Sequence, residues 1–238
     1  MWLPAPEKLV LSTDEVHIWR ADLEQSQAAQ AQLAATLSAD EQSRAKRFHF
    51  DLHRQRFIVA RGILRNILGR YLGKEPRELE FCYSSRGKPS LVSTSTSTPL
   101  CFNLSHSQAL ALYAIAHRPI GIDLEYIRPL DDLLKIAKRF FCQSEYALIE
   151  SLPPDQKPKA FFHLWTCKEA YLKATGEGLA GLQHVEILPS PGGIPRLNFV
   201  ADNTNLSDWF IQPLTIEHNY ASAVAIPGTR SQLSCWHW

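Results

Sequence analysis

The chain has few cysteines and no Cys-x-x-Cys pair. Its five, Cys82, Cys101, Cys142, Cys167 and Cys235, are scattered and odd in number. That argues against a zinc site and against a disulfide framework. Reduced thiols in a cytoplasmic protein are the plain expectation. Charge of one sign is also lacking: 25 Lys and Arg stand against 24 Asp and Glu, a formal net charge of +1. Nothing global pulls the chain toward nucleic acid or a membrane surface, so any anion must be recognised by a local cluster. No apolar run approaches the ~20 residues needed to cross a bilayer. Met1 to Val10 carries Pro4, Pro6, Glu7 and Lys8 and has no apolar core segment, so no signal peptide is expected. What remains is ordinary for a globular protein: 238 residues, 45% hydrophobic and 21% charged, enough for one large domain or two small ones.

Two stretches carry chemistry. In Ile120-Gly121-Ile122-Asp123-Leu124-Glu125 apolar residues alternate with the rest, which predicts a short strand with both carboxylates on one face. Two residues of strand separate Asp123 from Glu125 by roughly 6.5 to 7 Å. Like charges that close repel, and a cation between them relieves the repulsion. An all-oxygen site suits a hard ion such as Mg²⁺, which takes one or two carboxylates and completes its shell with water and substrate phosphate. The second stretch runs from Trp165 to Lys173. Trp165, Lys168, Glu169, Leu172 and Lys173 share one helical face. Glu169 at the edge of that apolar stripe is a candidate third ligand or a general base. Taken singly, these are also the patterns of a solvated strand face and of an exposed i,i+4 ion pair.

The remaining chain reads as alternating strands and helices. Val16–Trp19 predicts an early strand and 21–37 a polar helix. Ser38 with Glu41 is a capping box that starts another helix. A long helix follows from Asp51 to a stop at Gly73; its basic start holds His53, Arg54, Arg56 and Arg61, which by themselves read as a solvated face. Phe81–Tyr83 is a strand entering the turn Ser84 to Pro89. The Ser/Thr run 93–98 reads as a surface loop. Leu100–Leu104 is a strand ending at Ser105-His106-Ser107. That Ser-His pair is not a hydrolase dyad, because it lacks the Gly-x-Ser-x-Gly turn and strand neighbours face opposite ways. Ala109–Ala116 is a buried strand, 130–141 a helix, and Ser144 opens a short helix ended by Pro153-Pro154. Pro158 precedes the helix of Glu169, which stops at Gly176. Strands are expected at 185–188, 196–200, 209–214 and 220–226. The tryptophans of the tail either cap a groove or pack.

Gly121-Ile122-Asp123-Leu124-Glu125, followed some forty residues later by Trp165-x-x-Lys168-Glu169-Ala170-x-x-Lys173, resembles the signature of the 4′-phosphopantetheinyl transferases, in particular the surfactin-synthetase-activating branch. The likeness extends to Phe102-Asn103-Leu104-Ser105-His106-Ser107, Arg86-Gly87-Lys88-Pro89, Ala45-Lys46-Arg47-Phe48 and Ala137-Lys138-Arg139-Phe140-Phe141. It implies an α+β fold of two similar halves related by a pseudo-twofold axis, 1–118 and 119–238, with coenzyme A in the cleft between them and the metal site in the second. A weak internal symmetry agrees: each half opens with a strand and closes with a small-residue strand.

The resemblance also implies a reaction. The 4′-phosphopantetheine arm of coenzyme A passes to a serine of an acyl or peptidyl carrier protein, and adenosine 3′,5′-bisphosphate leaves. Mg²⁺ is expected on Asp123, Glu125 and Glu169. Glu169 is expected to act as base, directly or through a water, and Lys173, with Lys168 a weaker candidate, to neutralise the pyrophosphate. Coenzyme A contacts are expected from Arg44, Arg56, Arg86, Gly87, Lys88, Pro89, Ser105, His106, Asp123 and Lys173. The carrier is expected to dock on Arg128, Leu130, Leu133, Lys135 and Lys138. A monomer is expected, binding neither nucleic acid nor membrane, and serving fatty-acid, polyketide or peptide synthesis. Two rivals stay open: a Mg²⁺-dependent pyrophosphate hydrolase, and a non-catalytic coenzyme A-binding module.

Overall fold

The structure is a computed structural model that describes residues 2–92, 99–188, 195–199, 204–205, 208–228 and 231–238. The loop expected at 93–98 and Val200 of the strand expected at 196–200 lie outside these residues. In chain order the elements are β1 (Leu3–Pro4), β2 (Glu15–Asp22), α1 (Gln27–Ala34), α2 (Ala39–Ala45), α3 (Asp51–Leu72), β3 (Phe81–Tyr83), β4 (Pro89–Leu91), β5 (Cys101–Ser107), β6 (Leu110–Ala116) and β7 (Gly121–Tyr126). There follow α4 (Leu133–Phe140), α5 (Gln143–Ser151), α6 (Lys157–Thr175), β8 (Val185–Leu188), β9 (Arg196–Phe199), β10 (Thr204–Asn205), β11 (Trp209–Pro213), β12 (Tyr220–Pro227) and β13 (Gln232–His237). The class is α+β.

Two sheets pack face to face between two long helices. The first has the order β1-β13-β2-β6-β5 and the second β11-β12-β7. Strand alternation builds the layers. On β6, Leu110, Leu112, Ala114 and Ala116 turn toward Ile122, Leu124, Val224 and Ile226 of the second sheet. Ala111, Tyr113 and Ile115 turn the other way, onto Val59, Ile63, Leu64 and Ile67 of α3. Across the second sheet, Ala223 and Ala225 of β12 lie under Ala170 and Leu172 of α6. Both faces of β6 are apolar because both are covered.

Several boundaries differ from expectation for local reasons. β2 continues to Asp22, so 21–22 are strand rather than helix: Ala21 pairs with Ala111 and is buried. Asp22 then ends the strand by accepting the Glu24 N–H (2.8 Å), and the Ser26 hydroxyl caps the helix at Ala29 N–H (3.3 Å). α4 starts at Leu133, not 130, with Asp132 at its N-cap. β5 does not stop at Leu104 but runs through Ser107. The tail neither caps a groove nor stays in the second half. β13 joins the first sheet parallel to β2, with Trp236 packed on Trp19 at 5.2 Å between ring centres. All five cysteines are free. Among the described residues no helix is long and apolar enough to cross a membrane.

Candidate active site

Strand β7 can lie against helix α6 because position 121 has no side chain. A Cβ on Gly121 would drive into the Ala170 carbonyl oxygen and the Ala174 backbone nitrogen. This approach puts the odd-numbered face of β7 under Glu169 and Lys173, one helical turn apart on α6. Lys173 Nζ lies 2.6 Å from Asp123 Oδ1 and 2.9 Å from Ser105 Oγ, and donates also to the Ile122 carbonyl at 3.3 Å. Ser105 donates its hydroxyl to Asp123 Oδ1 at 2.9 Å. Neighbouring rungs on β5 repeat the pattern. Asn103 Oδ1 accepts the Ile122 N–H (2.9 Å), while Ser107 donates to Glu125 (3.2 Å) and accepts the Tyr126 N–H (3.0 Å). Residues 103, 105 and 107 thus lace the edge of the first sheet to the edge of the second, directly at the carboxylates.

The electrostatics are those of a site short of positive charge. Burial pushes Glu169 up to about 7, helped by the Asp123 charge and only partly opposed by Lys173. Burial, then Asp123, also raises Glu125 above the usual carboxylate range. Asp123 Oδ2 and Glu169 Oε1 are buried and accept no hydrogen bond. Leaving such acceptors unpaired is costly, and a hard cation answers that cost. The two orphaned oxygens, on Asp123 and Glu169, are hard donors whose chemistry suits a divalent ion such as Mg²⁺. Among the described residues no three such side chains stand at metal-holding spacing; Asp123 Oδ1 contacts Lys173 instead.

A cleft leads from this point along the first half. One lobe, about 240 Å³, is lined by Arg86, Gly87, Lys88, Pro89, Glu169 and Lys173 among others. A second, about 170 Å³, adds Arg44, Arg61, Tyr83 and His106. A third, about 720 Å³, opens outward past Arg44, Arg47 and Arg86. Arg86 donates to the carbonyls of Gly176 and Glu177, and Lys88 Nζ to that of Ala174 at 2.9 Å. These two cations satisfy carbonyls at the C-terminal end of α6, where the helix dipole favours positive charge. They also hold the β3–β4 turn against the second half. Burial holds Lys88 below its ordinary pKa. His106 faces away from Ser105, and burial, followed by Lys173, Arg56 and His53, holds its pKa below 6.5.

Three expectations need correcting. Lys168 is fully buried and pairs with Glu145 (2.5 Å) beneath the Phe141 ring. It faces away from the carboxylates because the apolar core clusters on both sides of α6 enclose it. Leu133 is mostly buried against Ala137 and Phe161 and reaches the surface only where it lines a groove beside Leu130 and Lys135. Arg128, Lys135 and Lys138 are exposed and Leu130 half-buried. Arg56 does not line the lobes with Arg44; it turns to Glu24 at 3.2 Å. Sequence reasoning missed Asn103, Ser107 and Arg61. The period-two spacing of 103, 105 and 107 was the available signal for the first two.

Comparison with known proteins adds to this geometry. A model of the 4′-phosphopantetheinyl transferase superfamily matches residues 119–225, and a 4′-phosphopantetheinyl transferase N-terminal model matches 19–118. The 4′-phosphopantetheinyl transferase HetI of Nostoc sp. is 51% identical over 238 residues, 100% of this chain and 98% of that one. The 4′-phosphopantetheinyl transferase Sfp of Bacillus subtilis is 29% identical over 155 residues, 65% of this chain and 67% of that one.

Proposed function

The chain belongs to the 4′-phosphopantetheinyl transferase superfamily, and from that premise we propose that its cleft performs the transfer at Asp123, Glu169 and Lys173. The enzyme moves the 4′-phosphopantetheine group of coenzyme A to a carrier protein. The observation that carries the assignment is the contact of Lys173 with both Asp123 and Ser105, in a lobe that Glu169 and Lys88 share.

The nucleophile is a serine hydroxyl of the carrier. Its oxygen bonds to the phosphorus on the pantetheine side of the pyrophosphate. The bond from that phosphorus to the bridging oxygen breaks, and adenosine 3′,5′-bisphosphate departs. Glu169 takes the serine proton, directly or through a water; burial raises its carboxylate to about 7 in the metal-free site, which suits a base near neutral pH. Lys173, whose side chain is 29% exposed and lines the cleft, donates to the pyrophosphate oxygens as charge builds on them. Asp123 and Ser105 hold Lys173 in place. Asp123, Glu125 and Glu169 would hold Mg²⁺, which when bound supplies charge neutralisation at the pyrophosphate. Lys88, Arg86 and Arg44, with the Gly87-Pro89 turn, orient the adenosine end. An arriving phosphate offsets the cationic neighbours that, after burial, depress the proton affinity of His106.

The carrier approaches from the α4 side, where a groove of about 450 Å³ is lined by Leu130, Leu133, Lys135, Lys157 and Pro158 among others, with Arg128 and Lys138 exposed nearby in the chain. Residues 1–118 place the long helix α3 on the antiparallel strands β2, β6 and β5, and 119–238 place α6 on the antiparallel strands β11, β12 and β7, which supports a pseudo-twofold relation and a monomer that completes its own cleft, with β13 crossing back to the first sheet. The abutting family matches at 118 and 119 agree. The decisive test is intact-mass spectrometry of an apo carrier protein incubated with this protein, coenzyme A and Mg²⁺. A gain of one phosphopantetheine, lost on chelation, is expected. Consumption of coenzyme A without a gain would point to the hydrolase instead.

A further inference from the structure

Ser107 stands at the outer end of the polar seam between β5 and β7. Its hydroxyl accepts the Tyr126 backbone N–H at 3.0 Å and donates to Glu125 Oε2 at 3.2 Å. Among the described residues this is the only side-chain hydrogen bond that Glu125 receives. Asp123 differs, because it takes Lys173 and Ser105 together. Glu125 therefore depends on one hydroxyl for its orientation. Ser107 is itself held in place. It pairs with Leu110 across the β5–β6 hairpin. Gln108, the next residue, turns the chain at φ 54°, a left-handed conformation uncommon outside glycine. The Ala109 carbonyl in the same turn accepts the Leu23 N–H at 2.6 Å. A serine hydroxyl has one hydrogen to give. With its backbone fixed by the hairpin and its oxygen by the Tyr126 amide, that hydrogen is aimed at Glu125.

A glutamate side chain is long and has many rotamers, and freezing it onto an ion costs conformational entropy. A hydrogen bond already in place removes part of that cost before the ion arrives. Ser107 engages Oε2 and leaves Oε1 for a cation. Carboxylate ligands generally rely on such outer partners to orient them. Resting on the transferase reading above and its metal assignment, we propose that Ser107 is a positioning residue: it pre-orients Glu125 and thereby sets the affinity of the protein for its divalent ion. Ser105, two residues earlier, bridges Asp123 and Lys173 instead and does not serve in its place.

The test is Mn²⁺ binding to the protein with coenzyme A and no carrier, read from the EPR signal of free Mn²⁺. Ser107→Ala is expected to raise the Kd for Mn²⁺ about tenfold, the lower end of the loss when an outer partner is removed. Ser107→Thr keeps the hydroxyl and should stay within about threefold of wild type. In the carrier assay, kcat of Ser107→Ala at saturating Mg²⁺ should return to within about twofold of wild type, since mass action offsets a weaker site. The alanine variant also loses the acceptor of the Tyr126 N–H. A purely structural role would therefore lower the Tm in chelator, and kcat at every Mg²⁺ concentration, while leaving the Kd for Mn²⁺ unchanged. That result would overturn the proposal, as would a threonine variant no tighter than alanine. A wild-type protein that modifies the carrier but binds no Mn²⁺ would overturn the metal assignment and this proposal together. Mn²⁺ binding that depends on Ser107, without modification of any carrier, would support the proposal and overturn the transferase reading alone.

Discussion

Lys173 Nζ lies 2.6 Å from Asp123 Oδ1, and this pair joins the last turn of α6 to the strand that opens the second half. Ser105 of the first half contacts both members. Through Ser105 the pair is tied to the first half, and it lies at the reactive lobe.

Asp123→Ala should abolish transfer while leaving the fold. The substitution removes an acceptor of two hydrogen bonds and one expected metal ligand. We expect a fall in kcat of about 10²-fold or more, the scale of losing one preorganised electrostatic group. Intact-mass assay measures the transfer, and circular dichroism monitors the fold. Retained turnover would remove Asp123 from the metal assignment.

Removal of divalent ions should expose the titration of Glu169. Its pKa in the folded protein, about 7, lies above the ordinary value of 4.5. The protonated form is favoured in the folded state, so the associated stability is fully present below about pH 4.5 and is lost as pH rises through 7. His17, held down to about 4 by burial, acts in the opposite direction over an overlapping window. The informative quantity is thus the Tm of wild type minus that of Glu169→Gln in chelator. It should fall from pH 5 to pH 7.5 and recover on adding Mg²⁺. A flat difference would contradict the raised pKa.

Lys168 and Glu145 make a purely structural prediction. Glu145 also accepts the backbone N–H groups of Cys142 and Ile187 (2.9 and 2.8 Å). Lys168→Met leaves that carboxylate buried and should destabilise the protein by about 3–5 kcal/mol in chemical denaturation. The Lys168→Met/Glu145→Gln double variant should recover part of the loss. KM for coenzyme A should not move, because Lys168 does not reach the cleft.

Gly121→Ala adds one methyl group where α6 has no room. The helix must shift, and it carries Glu169 and Lys173 with it. Transfer should drop by about 10²-fold, as expected when reacting groups move by about an ångström, with a lower Tm. Unaltered kinetics would show that α6 can yield without disturbing the site.

Much of this protein was legible in its sequence because the signals were local. Alternation at 120–125 set which way Asp123 and Glu125 point. Helical spacing put Glu169 and Lys173 on one face, and Gly73 and Gly176 ended their helices by adopting positive φ (62° and 82°). The motif spacing also carried the family. Other features depended on contacts between residues far apart in the chain. Lys168 and Lys173 look alike in sequence, yet one is sealed onto Glu145 and the other opens into the cleft. Arg56 and Arg61 share a basic helix start, but Glu24 diverts the first while Glu41 and Tyr83 hold the second in the lobe. The tail strand β13 found its place beside β2 only because that sheet offered an unpaired edge. A side chain's secondary structure follows from its neighbours in sequence, whereas its charge partner and its access to solvent follow from packing.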